Sequence, residues 1–69
     1  MNGNKIKNAK YPVAGFLKEN GIKQQTVANI IGKTLSTTNR KIRGKTDFSV
    51  AEIKLLHNKL AIPIEIFFK

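Results

Sequence analysis

From Lys33 to Lys45 the chain carries Lys33, Arg40, Lys41, Arg43 and Lys45 without a single acidic residue between them. The chemistry open to such a run is electrostatic: a polyanion is attracted, and counterions are released when its phosphates are met. The whole chain points the same way, because 13 Lys and Arg against four acids in 69 residues give a formal charge of +9. Residues suited to covalent or acid–base chemistry are scarce by comparison. His57 is the one histidine and cysteine is absent, so neither a Cys-ligated zinc site nor an imidazole pair can be built. Asp47 and Glu52 flank a helix start, where capping and the helix dipole account for acids. The five glycines are scattered and form no phosphate loop. No enzymatic activity, cofactor or metal is therefore expected.

Length sets the frame that must position this cationic run. A chain of 69 residues supports one domain and one core, and hides only about 60% of the surface of its unfolded state. Residues 1–10 are polar, with Lys5, Lys7 and Lys10 and no apolar period, and read as a basic N-terminal arm preceding a domain over residues 11–69. Val13, Phe16 and Leu17 predict a first helix starting near Tyr11 or Pro12 and stopping at Gly21. Gly15, inside it, suggests close packing against a neighbouring helix. A second helix is expected from Gln24 to Ile31, with Val27, Ile30 and Ile31 as its stripe, Ala28 at a close approach, and Gly32 as its end. A third, about Ser36 to Arg43, has a narrow apolar stripe, which leaves most of its circumference to solvent or a partner.

Ser49 followed by Glu52 predicts a capping box opening a fourth helix through Leu55, Leu56 and Leu60, with Phe48 and Ile53 as the accompanying staple. Pro63 ends it. A fifth short helix, Pro63 to about Phe67, would close the core with Ile64, Phe67 and Phe68. The alternating segment IPIEIFF leaves a C-terminal strand open as an alternative. No apolar run approaches the length of a membrane span and no secretory signal is evident, so a cytoplasmic protein is expected.

Residues 22–44, IKQQTVANIIGKTLSTTNRKIRG, have a recognisable layout. Gln24 opens one helix, Ala28 sits at the crossing, Gly32 makes the bend, and Leu35, Thr38 and Ile42 hold the next helix against the rest. An outer helix so held suits a major groove about 12 Å wide. With Gly44 following at the usual interval, the segment resembles the Cro and repressor proteins of temperate phages and the wider XRE family of small bacterial regulators. The likeness extends over about residues 12–68. It implies a compact, all-α, five-helix lambda-repressor-like helix-turn-helix fold, double-stranded DNA as partner, a pseudo-palindromic operator and a transcriptional regulator of the Cro type.

Carried across by position, the resemblance makes Ser36, Thr37 and Arg40 candidates for base contact, Arg40 being able to bind guanine O6 and N7 with both arms of its guanidinium. Leu35 stands where relatives often carry glutamine. It would either touch a thymine methyl or serve as a core anchor. Gln24 resembles a family glutamine that bonds phosphate and braces a neighbour. Lys33, Thr34, Lys41, Arg43 and Lys45 are the other phosphate candidates. Lys41 departs from the family, which often has an apolar residue there. Lys5, Lys7 and Lys10 would either follow the duplex or lie free. A weak homodimer is expected through Ile62, Ile64, Phe67 and Phe68. The alternative function is that of an antirepressor, a protein-interaction module on the same fold that grips a partner repressor.

Overall fold

The helices begin and end where local chemistry permits. Pro12 supplies a first turn that needs no N–H, and α1 runs over Pro12–Glu19. After it, α2 covers Gln24–Ile31 and ends at Gly32, whose φ of 70° is the left-handed conformation that glycine adopts without a Cβ penalty. Thr34 then caps α3, Leu35–Ile42, its hydroxyl oxygen accepting the Thr37 N–H at 3.1 Å. That cap starts α3 one residue before the expected Ser36. Further on, α4 spans Val50–Leu60 behind a complete capping box, in which Ser49 Oγ accepts from the Glu52 N–H and Glu52 Oε1 accepts from the Ser49 N–H. The computed structural model describes residues 11–68. The arm with Lys5, Lys7 and Lys10 therefore lies outside the described residues.

The described residues are all-helical and contain no strand. Among the described residues there are four α-helices rather than five, because the closing segment Ile64–Phe68 is a 3-10 helix. Neither the α-helix nor the strand weighed for IPIEIFF forms there. Ala61 ends α4 in the left-handed conformation at φ 57°, and His57 Nδ1 lies 2.9 Å from the Ile62 carbonyl oxygen. Together they turn the chain before Pro63.

One core joins the elements. Val13 and Leu17 of α1, Val27 and Ile31 of α2, Ile42 of α3, Leu56 of α4 and Ile62 form it, with Ile66 and Phe67 packed on its edge. Burying a side chain such as Leu56 contributes about 1.5–3 kcal/mol, so a handful of aliphatic residues decides whether so small a chain folds. Of the three residues expected to close the core, Phe67 packs against it, whereas Ile64 and Phe68 are exposed; Ile62, just before the segment, is fully buried. The expected tight packing at Gly15 is not found among the described residues, none of whose atoms would lie within 4 Å of a Cβ at that position.

Candidate nucleic-acid interface

The site is the outward side of α3, and its orientation follows from what lies beneath. Thr38 and Ile42, one helical turn apart, are 0% and 2% exposed and press α3 onto the core. The opposite flank is then dictated by helical period, and Ser36, Thr37 and Arg40 are all exposed on it. Leu35 is 46% exposed. It is no core anchor, because it is the first residue of α3 and lies a turn beyond the buried contacts. Lys33 and Thr34 precede α3, Arg43 and Lys45 follow it, and all four are exposed too.

Two polar ties supplement the apolar anchors. Toward α2, the Asn39 side-chain amide donates from Nδ2 to Gln24 Oε1 at 2.9 Å in a half-buried contact. Gln24 does brace a neighbour in this way, and its Nε2 makes no bond to another described residue. Asn39 was not singled out in the sequence. An amide one turn from Leu35 on the side facing α2 was the available signal, and only the crossing of α2 and α3 gives it meaning.

Toward α4, Lys41 reaches inward. Its Nζ lies 3.1 Å from Glu52 Oε1, with the two side chains 13% and 8% exposed. The same ammonium donates to the Asp47 carbonyl oxygen at 3.0 Å and sits 5.9 Å from the centre of the Phe48 ring. Lys41, expected as a phosphate partner, is thus engaged in the free protein by a carboxylate, a carbonyl and a ring. A lysine stem and a satisfied charge fill this partly buried position.

Burial on its own would raise the Glu52 pKa. The Ser49 backbone N–H, the hydrogen bond and charge of Lys41, and the charge of Lys33 outweigh it and hold the carboxyl below its ordinary value. Glu52 is thus ionised at neutral pH, and its charge is met by Lys41. By contrast, Lys33, Arg40, Arg43 and Lys45 form no ion pair with any described residue. Their side chains are exposed.

The closing segment presents a different surface. Phe67 meets Phe48 edge to face, ring centres 5.2 Å apart. Of the four residues expected to join two copies, Ile62 is 0% exposed and so unable to meet a partner, whereas Ile64 and Phe68 are 41% and 72% exposed. No group of three or more His, Cys, Asp or Glu that could hold a metal occurs among the described residues, and no described helix is long and apolar enough to cross a membrane. No family model, curated protein or solved structure matches the chain.

Proposed function

We propose that the protein is a sequence-specific double-stranded DNA-binding regulator of the lambda-repressor-like helix-turn-helix type, acting as a Cro-like repressor of phage or prophage origin. The observation that carries this reading is the outward flank of α3. Ser36, Thr37 and Arg40 are exposed together on a helix anchored by Thr38 and Ile42, and the cations around them make no ion pair with a described residue. In the reading, α3 enters the major groove. Arg40 and the two hydroxyls meet base edges, with Leu35 against a thymine methyl. Lys33, Thr34, Arg43, Lys45 and the unused amide of Gln24 meet phosphate and set the register. Occupancy of an operator then excludes polymerase, in the cytoplasm of a bacterial host.

Selection of bound duplexes from a random library, followed by titration at several salt concentrations, tests this. The expected result is a short palindromic consensus whose affinity falls steeply with salt, by about 0.9 in log–log slope for each cationic phosphate contact. Arg40→Ala should reduce discrimination at one base position by about 1–3 kcal/mol. Absence of any consensus, with affinity unchanged by salt, would reject the proposal. A second reading, an antirepressor that grips a partner repressor, is favoured by one observation, the exposed Leu35 at the head of α3. It predicts no duplex consensus and capture of a lambda-type repressor domain that Leu35→Asp abolishes.

A further inference from the structure

Lys41 and Glu52 join the middle of the chain in a way that the DNA-binding reading leaves unused. Lys41 lies one residue after Arg40 on α3, yet the two side chains go opposite ways, Arg40 to solvent and Lys41 into a nearly closed contact. That contact has partners on separate pieces of chain. The Asp47 carbonyl belongs to the loop after α3, and the Glu52 carboxylate belongs to the first turn of α4. Glu52 is itself immobilised, because the oxygen that receives Lys41 also accepts the Ser49 N–H, while the Glu52 N–H donates to Ser49 Oγ. Hence Lys41 ties α3 to the rigid start of α4, as Asn39 ties it to Gln24 on α2. The two ties leave from different sides of one short helix, two residues apart within a single turn, and the buried residues of that helix are Thr38 and Ile42. A helix so lightly anchored can rotate or tilt about that narrow stripe, and these polar contacts limit such motion.

We propose that Lys41 is a positioning residue, its ammonium held between Glu52 and the Asp47 carbonyl so that α3 presents Ser36, Thr37 and Arg40 at one fixed angle, rather than meeting phosphate itself. The inference rests on the reading of α3 as the DNA-contacting helix for its consequence, and on the observed contacts alone for its structural part. A lysine contacting phosphate and a lysine holding a helix differ in what their removal changes. Loss of a phosphate contact weakens binding to every duplex alike and lowers the salt slope by about one unit. Loss of a tie loosens base contacts, so the preferred duplex suffers and the random one does not.

The test uses the full chain and its variants Lys41→Met, Glu52→Gln, the double variant and Lys41→Arg. Two quantities are read: the ratio of affinities for the selected consensus duplex and a scrambled duplex, with its salt slope, and the backbone amide shifts of residues 36–40 in the free protein. Each single variant is expected to lower the ratio by about tenfold, the scale of one well-placed bidentate base contact, with the slope unchanged. The double variant should be no worse than either single one, since both remove the same tie. Lys41→Arg, which retains the charge, should recover most of the ratio. Amides of Ser36 and Thr37, a turn or more from the substituted side chain, should shift in both single variants. A slope lower by about one unit in Lys41→Met with an unaltered ratio would overturn the proposal in favour of phosphate contact. If the parent prefers no duplex, the DNA-binding reading fails by itself and the amide shifts decide the tie: unmoved Ser36 and Thr37 amides in both variants would overturn it. Should Lys41→Met not fold, Glu52→Gln and Lys41→Arg carry the same comparison.

Discussion

The outward flank of α3 and the closing segment Ile64–Phe68 both expose residues that a packed core did not take, but they expose opposite kinds. On the outward flank of α3 they are the hydroxyls of Ser36 and Thr37 and the guanidinium of Arg40, with Lys33, Arg43 and Lys45 exposed before and after the helix in sequence. On the closing segment they are Ile64 and Phe68. Singly exposed apolar side chains are ordinary on a small domain and carry little information. Exposed cations crowded in sequence on and beside one helix, while the buried carboxylate of Glu52 is neutralised by Lys41, are not ordinary. The two regions also differ in support. Two buried side chains and two polar ties hold α3, whereas the closing segment rests on its apolar inner side, Ile66 and Phe67, and on the bond between His57 and the Ile62 carbonyl.

The contrast predicts where substitutions will hurt. The largest effect belongs under α3: Ile42→Ala should cost about 2–5 kcal/mol, the range for truncating a buried aliphatic side chain, read from the urea midpoint. A loss below 1 kcal/mol would mean that α3 is not anchored there. Next comes the tie to α4. Glu52→Gln should cost about 2 kcal/mol at neutral pH, less than the ~3–5 for breaking a fully enclosed pair. Its pH dependence has a definite sign. The folded pKa of Glu52 is depressed, so the contribution is complete above the carboxyl's unfolded pKa and disappears as pH falls through the folded one. Parent and variant should therefore converge in stability in acid, and a gap that persisted there would remove the ion pair as its cause.

A smaller effect of opposite sign is expected at Thr38, whose fully buried Oγ1 has no hydrogen-bond partner among the described residues. Thr38→Val should stabilise the fold by about 1 kcal/mol, because an unsatisfied hydroxyl is replaced by a methyl of similar shape. Destabilisation would indicate that the hydroxyl is bonded in solution. Smallest of all is Phe68→Ser, expected to change unfolding by less than about 0.5 kcal/mol, as for surface positions without special contacts. If it also shifted sedimentation of concentrated protein toward a smaller species, the closing segment would be a meeting surface between copies and the contrast with α3 would sharpen.

Much of this architecture was legible in the residues themselves. Gly32 and the stripe of Val27 and Ile31 delimited α2, and the Ser49–Glu52 pair located the start of α4, because these signals are local and act within a turn of backbone. Thr34 was read as a phosphate partner although its hydroxyl oxygen caps α3, a role that shares the same surface. At the closing segment the period misled. Pro63 permits a helical first turn, but the chain arrives through a left-handed Ala61 and winds as a 3-10 helix, so Ile62 and Ile66 point inward where Ile64 and Phe68 were expected.

Sequence alone determined the net charge, its crowding between residues 33 and 45, and the places where helices must start and stop, since each depends on near neighbours along the chain. Which cation faces outward was decided only by tertiary structure. Arg40 and Lys41 are adjacent and similarly charged, and nothing local separates them. The arrival of Glu52 beside α3, brought by a loop and a helix packed on the same core, draws one inward and leaves the other to solvent.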